Sequence, residues 1–476
     1  MKPRASAQVV VVLALTSVPL LLASAPASAS GPIPSSDATP GSGSGLPHAM
    51  AATTSPEMGG QVWAARFNGL GNGSDSPTAV RVSPDGSRVY VTGSSWDGPP
   101  TQGGNGTDFA TIAYGSESGH ALWVRRYNGP ADGADEATGE AVATGRVYVT
   151  GWSTGADSGK DFETIAYTST GGFLWAQRFN GPGNGDDEAS AIAVSSDGSR
   201  IFVSGSVTQA DQTQSSETLA YGSDGTPLWS ALTPGSVMAV SPDGSRLYVA
   251  GSTGGGFQTA AYDASTGEKV WTETHDADFE QAGPSAIAVT PDGSRVSITG
   301  GGCTECEEGF EESGITFTYA SNGSLLWSKE DDGGGGCGCV EESTLSMSPN
   351  GSTAYVGGGI FNCYLLFAYN DATGALRWSR SSRGPCGQGQ GVSAVAAGPG
   401  GKNVFIVGQL HGAYETAKYT SSGQLGWART YSGPTSGADN PTSIAVNPAG
   451  TRVYVTGTSP GVRSKNDYAT VAYTTA

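Results

Sequence analysis

Basic residues are scarce in this chain. Its 476 residues include 24 lysines and arginines against 43 aspartates and glutamates, which gives a formal net charge of −19. Nucleic acids and anionic membrane surfaces bind clustered cations, so this balance argues against both as partners. The simplest role of the acidic excess is solubility outside the cell, and the attraction of cationic ligands is the alternative.

Long apolar runs are also missing, apart from one near the start. Lys2 and Arg4 precede the apolar residues 9–23, and Ala27-Ser28-Ala29 follows them. This pattern is typical of a secretory signal peptide that is cleaved after Ala29. A membrane anchor is the alternative, but the run is short for a spanning helix. We therefore expect a secreted, extracellular protein with no membrane insertion after cleavage.

Residues 30–58 lack the apolar side chains that a folded core needs. They are mainly Ser, Pro, Gly, Ala and Thr, which predicts a flexible linker. The chain thus divides into a signal peptide (1–29), a linker (30–58) and one repeat domain (59–476). A single domain is favoured because one unit recurs in it about every 50 residues.

A sustained helical period is absent throughout, and the recurring unit consists of short strands. Apolar side chains alternate with period two, and tight turns alternate with variable loops, which predicts four-stranded antiparallel sheets. In each unit a Val-x-Val-x-Gly strand ends at a glycine: Gly93, Gly151, Gly205, Gly251, Gly300, Gly358, Gly408 and Gly457. The matching tryptophans are Trp63, Trp123, Trp175, Trp229, Trp271, Trp327, Trp378 and Trp427.

One unit is split between the two ends of the repeat domain. Trp63 precedes every Val-x-Val-x-Gly strand, whereas the last strand pair, residues 453–457 and 467–473, is followed by no tryptophan. Residues 61–67 can therefore supply the outermost strand of the last unit. We predict an all-β, eight-bladed β-propeller of four-stranded antiparallel blades, closed by this N-terminal strand, because an open stack would leave unpaired edges.

Two segments carry a family resemblance. Ala261-Tyr-Asp-Ala-Ser-Thr-Gly-Glu-Lys-Val-Trp271 resembles the docking signature of quinoprotein (PQQ-like) propeller repeats, and residues 368–378 are a near match with Asn370 in place of Asp. The Arg-Val-Tyr-Val-Thr-Gly strands also resemble those of bacterial YVTN-type and SBBP-type repeats. The resemblance covers residues 60–476 and implies eight blades, with each tryptophan packed between neighbouring blades.

Enzymes of the quinoprotein family are PQQ-dependent dehydrogenases, and their site residues are not found here. The resemblance implies an adjacent Cys-Cys disulfide over the cofactor and a Glu, an Asn and an Asp on calcium. This chain has Cys337-Gly-Cys339 instead of an adjacent pair, and no convincing calcium triad. We therefore predict no bound cofactor, and the sequence favours a chain that is not an enzyme.

The six cysteines fall near loops that a propeller of this strand order places on one face. An even number in an exported chain predicts disulfides. We predict a Cys363–Cys386 bridge and two further bridges among Cys303, Cys306, Cys337 and Cys339, whose pairing the sequence leaves open. The alternative is a zinc site, because Cys-x-x-Cys with Cys-x-Cys could hold zinc tetrahedrally.

Four aspartates are the candidate metal ligands. Asp75, Asp135, Asp187 and Asp439 align in the loops between blades, where they could face the mouth of the central channel and bind Ca²⁺. The favoured interpretation is local, since aspartates in such loops accept hydrogen bonds from backbone N–H groups of tight turns. Units four to seven do not keep the aspartate, which weakens a ring-shaped ion site.

Two segments match the Gly-x-Ser-x-Gly motif of hydrolases, residues 151–155 and 457–461. That motif needs a strand-to-helix elbow and a histidine, whereas here it lies at strand ends and the four histidines are scattered. The sequence therefore favours a monomeric, non-catalytic module that binds a protein, glycan or cell-surface component through its loops. The alternative is a propeller enzyme, a PQQ-dependent dehydrogenase or a lactonase-like hydrolase, with its site at the channel mouth.

Overall fold

The computed structural model describes residues 49–51, 58–98, 106–253, 256–276, 281–306, 309–331, 340–360, 363–381 and 389–476. Within these ranges every helix or strand assigned is a β-strand. No helix there has the length and hydropathy that crossing a membrane requires. The strands form eight antiparallel sheets, and the innermost strand of each sheet contacts that of the next around a closed ring. The predicted eight-bladed propeller is confirmed.

Two strands, β1 (Ala49–Ala51) and β2 (Gln61–Phe67), precede the first complete blade. Blades 1 to 4 follow, each with its innermost strand first: β3 (Asp75–Val82), β4 (Arg88–Gly98), β5 (Gly106–Gly115) and β6 (Ala121–Tyr127); β7 (Asp135–Ala143), β8 (Arg146–Thr154), β9 (Lys160–Thr168) and β10 (Phe173–Phe179); β11 (Glu188–Val194), β12 (Arg200–Thr208), β13 (Gln214–Gly222) and β14 (Pro227–Leu232); β15 (Val237–Val240), β16 (Arg246–Ser252), β17 (Gly256–Asp263) and β18 (Lys269–Asp276).

Blades 5 to 8 keep the same order. Their strands are β19 (Gln281–Val289), β20 (Arg295–Cys306), β21 (Gly309–Ala320) and β22 (Leu325–Asp331); β23 (Val340–Met347), β24 (Thr353–Ile360), β25 (Cys363–Asn370) and β26 (Leu376–Ser381); β27 (Gly389–Ala397), β28 (Asn403–Leu410), β29 (Ala413–Thr420) and β30 (Leu425–Tyr431); and β31 (Asn440–Val446), β32 (Arg452–Pro460) and β33 (Asn466–Thr474).

Blade 8 is completed by β2, as the sequence predicted. β2 pairs antiparallel with β33, with Trp63 opposite Ala472. The Gly59 N–H donates a hydrogen bond of 2.8 Å to the Ala476 carbonyl, which joins the two halves of the split turn. β1, which lies in the segment predicted to be a linker, pairs with the outer edge of β2 through its backbone. The ring is therefore closed by pairing between segments about 400 residues apart.

The repeated tryptophans hold neighbouring blades together. The Trp63 indole N–H donates to the Ser116 carbonyl of blade 1 at 2.9 Å, and six more tryptophans bond the next blade in the same way. A turn glycine with positive φ lies against each ring; a Cβ on Gly119 would stand 2.5 Å from Trp63. Only glycine combines that backbone conformation with so close an approach. The expected packing of tryptophan between blades is confirmed.

The turns and loops divide the ring into two ends. Tight turns such as residues 83–87, together with the glycines against the tryptophans, lie at one end. Antiparallel order places the loops between second and third strands (for example 155–159 and 209–213) at the opposite end, with the loops between blades (for example 68–74 and 128–134). We call this end the loop face.

Candidate binding surface

The four predicted aspartates lie on the loop face, each in a different inter-blade loop. All four are buried, with at most 1% of their surface exposed. Each accepts a hydrogen bond from the backbone N–H six residues earlier: Gly69 to Asp75 at 2.6 Å, Gly129 to Asp135 at 2.5 Å, Gly181 to Asp187 at 2.5 Å and Gly433 to Asp439 at 2.8 Å. Each carboxylate therefore closes its own loop.

Further bonds tie these loops to the second strand of the same blade. Asp75 accepts from the Ser95 hydroxyl at 2.7 Å and from the Trp96 N–H at 3.0 Å, and Asp187 accepts from the Thr208 N–H at 2.7 Å. Burial raises the pKa of Asp75 and Asp187, while these hydrogen bonds act in the opposite direction. These contacts agree with the interpretation in which each aspartate accepts backbone hydrogen bonds and stabilises its own loop.

The structure does not bring the four aspartates together into one cluster. In the part of the chain that it describes, no group of three His, Cys, Asp or Glu side chains is placed to hold a metal ion. The Ca²⁺ alternative stays a prediction, and elemental analysis of the purified protein would test it.

Blades 8, 1 and 2 share a polar network on the loop face that the sequence reasoning missed. An arginine of the fourth strand bonds a serine at the end of the second strand and faces an aspartate at the start of the third. We call these the Arg–Ser–Asp networks; their members are Arg66, Ser459 and Asp467 in blade 8, Arg126, Ser95 and Asp108 in blade 1, and Arg178, Ser153 and Asp161 in blade 2.

The ion pairs in these networks differ in length. Arg178 donates to Asp161 at 2.6 Å and Arg66 to Asp467 at 2.9 Å. The pair of Arg126 with Asp108 is longer, at 3.9 Å, and burial together with nearby Asp97 raises the pKa of Asp108 to about 7. The networks place a cation beside each buried carboxylate and link strand ends at the loop face of three consecutive blades.

The networks also account for the Gly-x-Ser-x-Gly matches. Ser153 and Ser459 are the serines of the two motifs, and both are fully buried. Their hydroxyl oxygens accept hydrogen bonds from Arg178 and Arg66, at 3.1 and 2.5 Å. Each serine therefore holds an arginine in place at a strand end, in agreement with the structural interpretation of these motifs.

An aromatic pair lies near the loop face in four blades, the three with a network and blade 7. One ring belongs to the third strand and the other to the facing position of the fourth strand, with ring centres 5.4–6.0 Å apart. The pairs are Phe109 with Tyr127, Phe162 with Phe179, Tyr414 with Tyr431, and Tyr468 with Phe67. They fill the space between neighbouring blades near the loop face.

Blade 3 lacks both features. Strand register places Ser216 where blade 1 has Phe109, and Thr233, next after Leu232, where blade 1 has Tyr127. The network residues change as well: Ser215, Val207 and Leu232 stand at the positions of the aspartate, serine and arginine. Small hydroxyl side chains thus replace a pair of rings.

These replacements coincide with a cleft of about 310 Å³ between blades 3 and 4. Its lining residues are Ser206, Gln214, Ser215, Ser216, Thr233, Pro234 and Ser252. Two of the polar side chains are bonded to each other, since the Ser206 hydroxyl donates to Gln214 Oε1 at 2.7 Å. The volume is at the lower end of the range for small-molecule sites.

Comparison with known proteins identifies the family. Residues 205–455, more than half of the chain, match the family described as outer membrane protein assembly factor BamB. The chain belongs to this family. No curated protein matches the sequence.

Two solved structures share the fold of this BamB-family chain. The crystal structure of BamB from Moraxella catarrhalis has 13% sequence identity to this chain and a TM-score of 0.51. The match covers 88% of this chain and 100% of the BamB chain. The Dos1 propeller has 12% identity, covers 86% of this chain and 95% of its own, with a TM-score of 0.55. At these identities the likeness concerns the fold alone.

Three of the six cysteines of this BamB-family chain lie outside the described residues. The backbones of Cys303 and Cys306 lie in β20 and that of Cys363 begins β25, so the first two belong to a long hairpin rather than to a loop. Cys337, Cys339 and Cys386 are outside the described ranges. The Cys363–Cys386 bridge and the two further bridges stay predictions, which counting free thiols by mass would test.

The missed residues differ in how clearly the sequence signals them. The network arginines recur in an Arg-Phe/Tyr-Asn-Gly motif a few residues after Trp63, Trp123 and Trp175, so they could have been found. The cleft is harder to predict because its volume depends on how two blades pack.

Proposed function

We propose that this protein is an exported, monomeric, non-catalytic module that binds a protein, glycan or other cell-surface component on its loop face. The observation that carries the proposal is the contrast on that face between the blade ends packed by aromatic pairs, in blades 7, 8, 1 and 2, and the open polar cleft of blade 3. The family description, which concerns the assembly of outer-membrane proteins, agrees with a binding role in the bacterial envelope.

The hydrogen bonding of the buried acids supports a non-catalytic role. The inter-blade aspartates accept bonds from their own loops, and Asp161 and Asp467 face arginines at 2.6 and 2.9 Å. A general acid or base needs hydrogen-bond access to a substrate proton. These carboxylates are instead used to hold loops and strand ends.

Site-specific photocrosslinking tests which face binds. A photoreactive residue replaces exposed Asp211 on the loop face, or exposed Asp224 at the opposite end of the same blade as the matched control. With solubilised envelope material we expect adducts from position 211 that excess unlabelled protein suppresses, and none from position 224. Equal adducts from both positions, or none from 211, would contradict the proposal.

A separate assay addresses the enzyme alternative. The purified protein is supplied with Ca²⁺ and PQQ, and reduction of a redox dye is followed over a set of alcohols and sugars. We expect no activity above that of heat-unfolded protein. Reproducible PQQ-dependent turnover would replace the binding proposal with the dehydrogenase alternative.

A further inference from the structure

The cleft between blades 3 and 4 exists where the repeat departs from its own pattern. Five positions at this blade end differ from blade 2: Ser215, Ser216, Val207, Leu232 and Thr233 occupy the places of Asp161, Phe162, Ser153, Arg178 and Phe179. The rest of the blade keeps the repeat, including the bond from Trp229 to the Ala264 carbonyl at 3.2 Å. The change is therefore local to the loop face.

The lining has a uniform chemistry. Apart from Pro234, every lining residue carries a hydroxyl or carboxamide, and none carries a charge. Hydroxyl and carboxamide groups both donate and accept hydrogen bonds. A charged ligand would find no opposite charge in this lining, and partial burial of an unpaired charge is unfavourable. The lining suits a neutral ligand that is itself rich in hydroxyls.

Several polar side chains are held in position before any ligand binds. Gln214 Nε2 donates to the Thr208 hydroxyl at 2.8 Å, and Gln209 Nε2 donates to the Ser215 hydroxyl at 2.6 Å. The hydroxyl of the lining residue Thr233 lies 2.9 Å from that of the buried Thr218. Such preorganisation lowers the entropy lost when a ligand is ordered.

One apolar residue, Pro234, belongs to this lining. Its ring offers apolar contact area beside the hydroxyls. A sugar ring has polar hydroxyls and apolar C–H faces, so it can use both.

We infer that the cleft between blades 3 and 4 is a binding site for a neutral saccharide. This inference rests on the proposed binding function and names the ligand class of one part of the loop face. It uses the small residues Ser216 and Thr233 that replace a pair of rings in blade 3, the uncharged hydroxyl lining and Pro234 within that lining.

The sharpest test refills the cleft with the residues that the repeat uses elsewhere. The double variant S216F/T233Y recreates the Phe109–Tyr127 pair of blade 1, so the fold has a precedent for these side chains. Calorimetric titrations use maltohexaose, cellohexaose and chitohexaose as neutral probes, with hexagalacturonic acid as the charged counterpart. The matched control T226Y adds a ring at an exposed turn of the same blade, on the opposite end.

We expect the wild type to bind at least one neutral hexasaccharide, and S216F/T233Y to bind it at least tenfold more weakly, with T226Y unchanged. A second variant, S206A/Q214A, removes lining hydrogen bonds without filling space and should also weaken binding at least threefold. It keeps the test decisive if the filled variant fails to fold.

The outcomes separate this inference from the proposed function. Absence of saccharide binding by the wild type, or unchanged binding by folded S216F/T233Y and S206A/Q214A, would overturn the saccharide site. Preferential binding of a pool of extended peptides in the cleft would overturn it as well. In each case suppressible crosslinking from position 211 would leave the binding function standing.

Discussion

Blades 2 and 3 are neighbours in the ring and have the same strand order, but their loop ends are built differently. In blade 2, Arg178 bonds Asp161 and Ser153, and the rings of Phe162 and Phe179 pack with their centres 5.7 Å apart. In blade 3, small polar and aliphatic side chains take all five places and a cleft opens toward blade 4. The loop end of blade 2 is tightly packed, whereas the loop end of blade 3 is less packed and has an accessible polar surface.

The comparison shows how a repeat protein can separate structure from function. The tryptophan–glycine contacts that join the blades are kept all around the ring, including that of Gly59 with Trp427. A single blade can therefore vary at its loop end without loosening the ring. We expect functional differences among such chains to lie at these ends.

The largest effect should come from removing the strand that completes blade 8. Deleting residues 59–68 removes Trp63, the closing strand and Arg66 of the blade 8 network in one step. Because this strand completes blade 8 and its tryptophan packs against blade 1, we expect loss of the cooperative thermal transition seen by circular dichroism. Removing residues 30–48 from the predicted linker is the control and should leave the transition unchanged. A deletion variant that melted at the wild-type temperature would disprove closure by β2.

The next largest loss of stability should come from replacing the aromatic pair of blade 2 with the hydroxyl residue types of blade 3. The variant F162S/F179T removes two packed rings, of which Phe162 is fully buried, and truncation of a buried phenylalanine costs about 3–5 kcal/mol. The reverse variant, S216F/T233Y in blade 3, should be neutral or stabilising. The midpoints of denaturant-induced unfolding measure both. A change of similar size and sign in the two variants would show that the aromatic pair does not account for the difference between the two blade ends.

Removing the blade 2 arginine should have a smaller effect. R178L leaves Asp161 and Glu163, which are at most 2% exposed, without their cation, and breaking such a pair costs about 3–5 kcal/mol when it is fully buried. Because Arg178 is about a quarter exposed, we expect a loss nearer about 2–3 kcal/mol. The matched variant L232R in blade 3 adds an arginine opposite Glu217, with no acid at position 215, and should not lower stability by more than about 0.5 kcal/mol. Equal losses in both variants would argue against the network as the cause.

The eight-bladed ring could be predicted from the sequence because its repeat unit occurs eight times. A strand register repeated in every unit, and one tryptophan displaced to the front, determine blade number and closure without knowledge of side-chain contacts. The local role favoured for Asp75 and its three equivalents also followed from loop chemistry alone. Repetition makes such signals strong, since the same pattern can be seen independently in each unit.

The features that escaped prediction depend on contacts between different strands. Arg126 and Asp108 lie 18 positions apart in the sequence and meet only because β6 pairs with β5. The cleft is harder still to predict from the sequence, because two small residues leave space only if the adjacent blade does not pack closer and fill it. Departures from a repeat therefore locate a special site more readily than they define its shape.

Glu140 is another departure from the repeat, and it lies in the inner strand of blade 2. The equivalent position is apolar in the other seven blades, where the strand register places Val80, Ile192, Met238, Ile287, Leu345, Val395 and Ile444. Glu140 is 2% exposed, and neither of its carboxylate oxygens has a hydrogen-bond partner among the described residues. Burial raises its pKa to about 8, against a smaller opposite effect of Arg81.

The variant E140V should stabilise the ring in a manner that depends on pH. A carboxyl whose pKa is higher in the folded than in the unfolded state makes stability fall as the pH rises between the two values, here from about 4.5 to about 8. Valine removes this loss and the unpaired polar group, so we expect a gain of about 1–2 kcal/mol at pH 8 that shrinks toward pH 5. Denaturant unfolding of wild type, E140V and the isosteric control E140Q at both pH values measures it, and E140Q should lose the pH dependence while keeping an unpaired amide. A gain by E140V that is the same at pH 5 and pH 8 would show that Glu140 does not titrate in this range, and that its cost to blade 2 comes from packing alone.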